Sequence, residues 1–365
     1  MALGVFTPSV MPAILANLED SMTDSRVQQR HNLMPKHEIL RIVKEQETAT
    51  FESVRPNDRK CEEFSVAWLE ESDTEADLNT NVEVIHRAPC DITGEEIQSN
   101  KKTYKIAKSV DYTAKIKDED CGNMFDFASK VSIALLQGQK KLISRLSKAL
   151  PSYLDAASGT NLATGIGFDG NIGVVNGGDG FTTIAPGDLT AEKTIPYLTM
   201  LAEFNELQNP VLIDGGMFFL DRWKAQAQAG TNAGDVGNEN YWALANYNQD
   251  IYNMNRAGYL NAAFVVDRGS IALPIVSFFP RLGNDNEVVA DKFIYSAPIA
   301  GITLDGQPIY IDWTYTKEEE QIGSSGRCQL VHTFHMELKF DFWQAPRYTT
   351  DPVTGIITLK KGVAA

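Results

Sequence analysis

The feature that most constrains this chain is a long helical period at residues 120–150, where apolar residues recur every three to four positions. This spacing predicts an amphipathic helix with one buried stripe, and Asp118 or Asp120 can cap its start. A helix of about 30 residues would be about 45 Å long, far beyond the three to four turns of an ordinary globular helix. The stripe consists of Met124, Ala128, Val131, Leu135, Leu142 and Leu146.

The composition is that of a soluble globular protein. The 365 residues can form a large core and suggest two or three compact units. Hydrophobic residues make up 43% of the chain and charged residues 22%. No run of about eighteen apolar residues occurs, so the sequence predicts no membrane-spanning helix. The first residues lack a basic leader and are interrupted by Pro8 and Pro12, which argues against a secretory signal and favours the cytoplasm.

The net charge of −15 argues against tight nucleic-acid binding. Clusters of Lys and Arg that neutralise phosphates supply most of that affinity, and the balance here is the opposite. Contact with nucleic acid without adhesion stays possible. A local exception is the polar face of the predicted helix, which carries Lys140, Lys141, Arg145 and Lys148. A basic end of this kind suits the negative pole of the helix dipole.

Residues 1–48 have the pattern of an arm. Pro8, Pro12 and Pro35 break the short helical signals, so this stretch has no apolar face long enough for a core of its own. Residues 37–47 can form three amphipathic turns with Ile39, Leu40 and Val43 on one side, and this segment needs another element to lie on.

From residue 48 to 116 the period changes to two. Phe64, Val66 and Trp68 alternate in one run, and Tyr104 and Ile106 alternate in another, so both predict strands. The polar stretch between them indicates a protruding hairpin, which buries little unless a neighbour covers it. We expect that neighbour to be another copy of the chain.

The hairpin has two bands of opposite charge. The acidic band is Glu62, Glu63, Glu70, Glu71, Asp73, Glu75 and Asp77, and the basic band is Lys101, Lys102, Lys105 and Lys108. Within one chain, exposed pairs of this kind contribute under about 1 kcal/mol each and are commonly a solvated surface. Between identical copies, repeated pairings could set register and orientation.

Beyond Pro151 the Gly- and Asn-rich chain predicts turns, and an α/β region follows. It begins with a helix in LTAEKTIPYLTMLAEFNELQ and a buried strand in PVLID, followed by a second helix in GMFFLDRWKAQAQAG that ends at Gly230. Gly215 and Gly216 are expected to let the chain turn tightly from strand to helix. Phe218, Phe219 and Trp223 are expected in the core.

The last section is β again. GQPIYIDWTYTKE alternates, and CQLVHTFHMELKFDFW is the longest predicted strand. On that strand one face carries Leu330, His332, Phe334, Met336, Leu338, Phe340 and Phe342. The other face carries Thr333, His335, Glu337, Lys339 and Asp341.

The motifs with chemical meaning give weak signals. GIGFDG, Gly165 to Gly170, matches a dinucleotide pattern, but no buried strand precedes it and no helix follows it. His332 and His335 would point to opposite faces of a strand, so one metal ion could not bind both. His332 is expected on the apolar face with one satisfied nitrogen, and His335 on the solvent side.

The remaining candidates also have ordinary interpretations. Cys61, Cys90, Cys121 and Cys328 lie far apart, with no two-residue spacing, and predict reduced thiols, although a disulfide stays possible. The acidic run KEEEQIGSSGR at 317–327 could bind a cation, but a solvated loop is the commoner explanation. No nucleophilic triad, nucleophile elbow or P-loop pattern occurs, so the sequence predicts no catalytic, cofactor-binding or metal-binding residue.

The order of these elements resembles the major capsid proteins of tailed bacteriophages, which share the Hong Kong 97-type (HK97-like) fold. The likeness lies in YKIAKSVDYTAKIKDEDCGNMFDFASKVSIALLQGQKKLISRL, similar to the strand and spine helix of that family, and in AEFNELQNPVLIDGGMFFLDRWKAQAQAG, similar to its axial domain. The resemblance implies an α+β fold in five parts. These are an N-terminal arm at 1–48, an extended β-hairpin loop at 49–113, a peripheral domain with the spine helix at 114–180, an axial domain at 181–300, and closing strands of the peripheral domain at 301–365.

The resemblance also implies a function. Such proteins assemble with copies of themselves into pentamers and hexamers of an icosahedral shell around double-stranded DNA, without cofactors or catalysis. The protein would belong to the virion, be assembled in the host cytoplasm, and touch packaged DNA only by weak non-specific contact, with no membrane. The first fifty residues are too short and broken for the cleaved scaffolding segment of some members, which leaves room for a separate scaffolding protein, a portal and a decoration protein. The Lys–Asn cross-link of some members cannot be assigned here.

Residues 229–259, a mixture of Gly, Asn and aromatic residues, suit a loop crowded near a symmetry axis. On this interpretation, deleting residues 1–48 would leave a soluble subunit that no longer closes into shells.

Two other functions stay open from the sequence. One is a secreted or surface β-rich binding module for carbohydrate or adhesion, with Trp68, Trp242 or Trp313 as stacking platforms. The other, less favoured, is an α/β enzyme.

Overall fold

The protein is described here from a computed structural model, which covers fifteen stretches of the chain. They are residues 37–46, 50–52, 63–69, 99–117, 127–159, 174–176, 182–184, 191–219, 223, 246–279, 287–289, 292–304, 307–322, 327–344 and 354–361. Several predicted features lie outside them: residues 1–36, the acidic band except Glu63, Cys61, Cys90, Cys121, Asp118, Asp120, Met124, the GIGFDG motif and Trp242.

The described chain contains both helices and strands, with long runs of strands between the helices, which confirms the predicted α+β class. The helices are α1 (Glu38–Glu45), α2 (Phe127–Ala157), α3 (Ala191–Phe204) and α4 (Ile251–Ala257). The strands are β1 (Thr50–Glu52), β2 (Glu63–Leu69), β3 (Ser99–Lys105), β4 (Lys108–Lys117), β5 (Val174–Asn176), β6 (Thr182–Ile184), β7 (Val211–Asp214), β8 (Tyr247–Gln249), β9 (Ala262–Val266), β10 (Ile271–Ala272), β11 (Ile275–Val276), β12 (Glu287–Val289), β13 (Lys292–Leu304), β14 (Gln307–Ile322), β15 (Arg327–Phe340), β16 (Trp343–Gln344) and β17 (Ile356–Lys361).

The long helix predicted from the apolar period is α2, which has 31 residues and is therefore about 46 Å long. The predicted stripe is confirmed at four described positions, Val131, Leu135, Leu142 and Leu146, each with 0% exposure. The helix was expected to end near Pro151, but it continues through that residue to Ala157. The basic residues predicted near its C-terminus therefore lie more than about two turns before it, too far for the dipole to act on them.

Core packing explains why α2 passes through Pro151. A proline inside a helix removes a backbone hydrogen bond and costs about 3 kcal/mol. Leu150 and Leu154, on either side of it, are both fully buried. Burying two such side chains contributes about 1.5–3 kcal/mol each, which is enough to offset the proline.

A long antiparallel sheet lies against α2. Its strands follow the order β12, β13, β14, β15, β4, and β11 continues the edge of β15 beyond the end of β14. The predicted alternation of β15 is confirmed, because Phe334, Met336, Leu338 and Phe340 are buried and pack with α2 in one core. The longest strand is β14 with 16 residues rather than β15 with 14.

The other face of the long sheet is partly covered by the segment that follows β11. Asp312 of β14 is 1% exposed and accepts hydrogen bonds from the backbone N–H groups of Phe278 and Phe279 at 3.1 and 3.2 Å. Lys339 of β15 lies 3.2 Å from the Asp312 carboxylate. These bonds hold the segment across the sheet.

A second six-stranded sheet, the mixed sheet, has the order β5, β6, β17, β9, β7, β8 and contains both parallel and antiparallel pairs. Its central strands are buried on both faces. In β7, Val211 and Ile213 belong to the core shared with α2, whereas Leu212 belongs to a second core with α3. This is why the predicted PVLID strand is a continuous apolar run rather than an alternating one.

The predicted hairpin is confirmed in β2 and β3, which pair antiparallel from Glu63 with Lys105 to Leu69 with Ser99. β1 adds a third strand beside β2. Among the described elements, the extensive contacts of this hairpin sheet are between its own strands. The boundaries of the five predicted parts of the chain stay predictions.

The amphipathic segment predicted at 37–47 forms α1, and its predicted inward residues are confirmed. Ile39, Leu40 and Val43 each have 0% exposure. They belong to the same core as α2 and the long sheet, so the chain itself supplies the surface that this helix lies on. A deletion intended to remove only the arm should therefore stop at residue 36, because removing 1–48 takes α1 out of the core.

Candidate functional site

The turn after β7, where a tight change from strand to helix was predicted, has the geometry of a structural joint. Asp214 is 0% exposed. Its Oδ1 accepts hydrogen bonds from the N–H groups of Gly216 and Met217 at 2.9 and 2.8 Å. Its Oδ2 accepts from the Tyr247 hydroxyl at 2.6 Å and from the N–H of Phe218 at 3.3 Å.

This environment decides what Asp214 can do. Burial raises the pKa of its carboxyl group, and the hydrogen bonds from Tyr247 and the backbone oppose that shift. Both oxygens are already occupied by the turn and the neighbouring strand, with no exposed edge to receive a substrate. Asp214 therefore closes the turn and holds β7 to β8.

The two glycines of the turn have the role predicted for them. A side chain at Gly215 would lie 2.3 Å from the carbonyl oxygen of Tyr259 and 2.9 Å from that of Ala262. Gly216 has a φ of 118°, in the region that favours glycine. The close approach and the positive φ are both needed for the chain to turn back over β9.

The three aromatic residues after the turn do not share one environment. Phe218 is fully buried, as predicted, but Phe219 is 41% exposed and Trp223 is 59% exposed. The prediction that the latter two lie in the core is wrong. Leu260 is 41% exposed and lies beside Gly216, because its carbonyl oxygen is 3.3 Å from the position that a side chain on Gly216 would take. The carbonyl oxygen of Gly216 in turn accepts a hydrogen bond from the N–H of Phe219. We call Phe219, Trp223 and Leu260 the apolar patch.

Trp313 cannot serve as a stacking platform for a carbohydrate. It is 0% exposed and is stacked on Tyr295 with the ring centroids 5.9 Å apart. The suggestion made for this residue is therefore wrong, because a platform needs an open ring face. The side chain of Trp68 and all of Trp242 lie outside the described residues.

The two histidines of β15 occupy opposite faces, as predicted. His332 is buried, and its Nδ1 is 2.8 Å from the Tyr315 hydroxyl. His335 is on the more open face, with its Nδ1 2.9 Å from the Thr113 hydroxyl. In the part of the chain that the structure describes, no group of three or more His, Cys, Asp or Glu residues is arranged to hold a metal ion.

The acidic run is not a loop. Glu318, Glu319 and Glu320 lie on β14 with exposed side chains, so the prediction of a loop at these positions is wrong. Glu320 forms an ion pair with Lys117 of β4 at 2.7 Å, although the two residues are not on adjacent strands. Both side chains are about half exposed, so solvent screens this ion pair and it contributes little to stability.

The predicted basic band is partly used within the chain. Lys108 forms an ion pair with Asp341 and lies 5.5 Å from the centre of the Tyr153 ring. Lys105 is placed opposite Glu63 by the register of β2 and β3. Lys108 therefore has a side-chain partner in its own chain before any neighbour is considered.

Asp250 is a joint that the sequence analysis missed. It precedes α4, where its Oδ1 accepts a hydrogen bond from the N–H of Asn253 at 3.0 Å, and its Oδ2 accepts from the N–H of Ile39 at 3.0 Å. One carboxylate thus caps α4 and satisfies the start of α1. The Asp before the helix and Gly258 after it are a readable pair of cap signals, but the bond to α1, 211 residues away, has no local signal.

Comparison with known proteins gives structural likeness only. No family model matches the sequence, and no curated protein matches it. The solved structures to which the chain is similar include bacteriophage capsids, the class of protein that the sequence resembles. In the part of the chain that the structure describes, no helix is both long enough and apolar enough to cross a membrane.

Three of these structures are phage capsids. The capsid structure of the cyanophage P-SCSP1u is 10% identical with a TM-score of 0.41, covering 82% of this chain and 83% of that one. The cyanophage Pam1 capsid asymmetric unit is 9% identical with a TM-score of 0.41, covering 84% and 87%. The asymmetric unit of the bacteriophage PhiM1 mature capsid is 8% identical with a TM-score of 0.40, covering 83% of each chain.

Proposed function

We propose that this protein is a major capsid protein, a structural subunit without catalysis that assembles with copies of itself into the shell of a tailed bacteriophage. The subunits would form pentamers and hexamers of an icosahedral shell, assembled in the host cytoplasm and enclosing double-stranded DNA. A separate scaffolding protein, a portal and a decoration protein are the further partners expected of such a shell.

The observation that carries the proposal is the hairpin sheet. Its three strands pack mainly against one another among the described elements, and β1 and β3 are both edge strands. A small sheet of this kind is marginally stable unless something covers it, and edge strands offer unpaired backbone groups. In a symmetric assembly the neighbouring copy supplies that cover at every contact.

The apolar patch supports the same proposal. Phe219, Trp223 and Leu260 are each more than 40% exposed, although Phe219 directly follows the fully buried Phe218. Aromatic residues that are exposed in one chain and covered in an assembly are typical of subunit interfaces. Phe219 lies at the turn after β7 and Leu260 lies just before β9, both well separated in sequence from the hairpin sheet. Two separate surfaces that need cover are what a closed shell requires, because each subunit has several neighbours.

The test is the assembly state of the full chain, measured by size-exclusion chromatography with light scattering and by negative-stain electron microscopy. We expect megadalton particles from the unchanged protein. A variant with residues 50–105 replaced by a Gly–Ser linker should keep the circular dichroism of its two cores and lose the particles. The double substitution Phe219→Ser with Trp223→Ser should weaken assembly in the same way.

The matched control is Ile133→Ser, which removes a side chain with 40% exposure from the open face of α2. It should assemble like the unchanged protein. A full-length chain that remains a compact monomer would overturn the proposal, and so would normal particles from the variant without the hairpin sheet.

A further inference from the structure

The open face of α2 is strongly basic in an otherwise acidic protein. Between Phe127 and Leu154 the helix contains no Asp or Glu. Its five cationic residues all project from one side, within about 140° of the circumference at about 100° per residue. They are Lys130, Lys140, Lys141, Arg145 and Lys148, and each is exposed or half-buried. We call these five residues, together with Arg256 of α4, the basic face.

A second element adds to this face. Arg256 of α4 is exposed, and its guanidinium donates a hydrogen bond to the Ser144 hydroxyl of α2 at 2.6 Å. The same group lies 5.1 Å from the centre of the Tyr252 ring and is hydrogen-bonded to the Tyr252 hydroxyl. These contacts hold a sixth cation beside the row on α2, so the basic face is built from two elements that are far apart in sequence.

Three cations of the basic face have no acidic partner among the described residues. Glu38 and Glu45 of the adjacent α1 are both paired with Arg41 on the same helix. Among the described residues, no acidic side chain forms an ion pair with Lys130, Arg145 or Lys148. The Nζ of Lys141 lies 4.2 Å from the centre of the Tyr112 ring, and this cation–π contact does not cancel the positive charge.

We propose that the basic face binds the phosphate backbone of double-stranded DNA and is therefore the surface that faces the packaged DNA. This inference rests on the proposed capsid function and adds an orientation to it. The six cations would act as a weak, sequence-independent contact on a wall that otherwise repels phosphate.

The arrangement of the charges favours a nucleic acid over an acidic segment of another copy. The row runs along one side of α2 and spans about 27 Å from Lys130 to Lys148, a length over which one DNA strand presents about eight phosphates at about 3.4 Å each. Four of its five cations are lysines, which offer mobile point charges rather than the fixed forks that suit defined pairing with carboxylates. A mobile row of one sign is suited to a regular line of phosphates.

The experiment measures DNA binding by unassembled subunits of the full chain, separated from particles by size-exclusion chromatography, because a closed shell would hide a face that lies inside it. Fluorescence anisotropy of a short labelled DNA duplex gives the affinity and its dependence on salt. The test variant combines Lys130→Gln, Arg145→Gln and Lys148→Gln, which removes three unpaired cations from the basic face. The control combines Lys115→Gln, Lys317→Gln and Lys361→Gln, which changes the net charge equally on β4, β14 and β17. Circular dichroism and thermal unfolding of both variants establish that they are folded.

Each neutralised phosphate contributes about 0.9 to the slope of affinity against salt on logarithmic axes. With six contacts, a threefold rise in salt, from about 50 to about 150 mM, should weaken binding of the unchanged protein by up to about 400-fold. The test variant should lose only about 20-fold over the same range, and the control should behave like the unchanged protein.

Three results would overturn the inference. They are no DNA binding by the unchanged protein at low salt, an equal salt slope in the test variant and the control, or a test variant that alters assembly while its DNA binding is unchanged. The last result would assign the basic face to contact with another copy. Electron microscopy of each preparation before the subunits are separated distinguishes this outcome from failure of the capsid proposal, because particles can form whether or not the basic face binds DNA.

Discussion

Leu40→Ala is the substitution that tests whether the chain covers α1 with its own body. Leu40 has 0% exposure and lies in the core shared by α1, α2 and the long sheet. Truncating a fully buried leucine removes its transfer free energy and leaves a cavity, which together cost about 2–5 kcal/mol. Two bonds limit how far α1 can shift to fill that cavity: the one from the Ile39 N–H to Asp250, and one from Lys44 Nζ to the carbonyl oxygen of Leu273 at 3.0 Å. We therefore expect a loss of about 3–4 kcal/mol.

The control is the next residue. The Arg41 side chain is 43% exposed and forms ion pairs with Glu38 and Glu45 on its own helix, so Arg41→Ala should cost no more than about 1 kcal/mol. Urea unfolding of both variants, followed by circular dichroism at several protein concentrations, measures the difference. If a neighbouring copy covered α1, the loss from Leu40→Ala would depend on protein concentration, as it does for any interaction between subunits. That dependence, or equal losses in the two variants, would refute the packing of α1 described above.

Two further predictions concern acid and glycine. Burial, with Lys140 and Arg256 nearby, lowers the pKa of His37 from 6.5 to about 4, so the folded chain favours the neutral ring. The contribution of His37 to the free energy of unfolding should be fully present above about pH 6.5 and fall by about 2 kcal/mol as the pH drops toward 4. His37→Gln should flatten this part of the pH profile in thermal unfolding, and an unchanged profile would contradict the assignment. Gly215→Ala should cost more than about 3 kcal/mol because its side chain would meet two backbone oxygens. The control is Gly258→Ala, which has a φ of 88° with open space around it and should cost about 1 kcal/mol. Equal urea midpoints for the two variants would contradict the close approach of Gly215 to these backbone oxygens.

The sequence determined which residues share a face. The three-to-four period placed Val131, Leu135 and Leu142 on one stripe of α2, and the two-residue period placed Phe334 and Met336 on one face of β15; all five are buried. Such periods follow from the geometry of the helix and the strand alone, so they hold before any tertiary contact is known. The α+β class and the order of the elements follow from the same local signals.

Tertiary structure decided what covers each face, because a period says nothing about the surface on the other side. Phe219 and Trp223 have the composition of core residues and are exposed, whereas α1 has the pattern of a loose arm and is enclosed by its own chain. Pro151 marks a helix end by every local rule, yet two buried leucines beside it outweigh the cost of the ring. The basic face likewise depends on the fold, since only the packing of α4 against α2 brings Arg256 to Ser144 across 112 residues of chain.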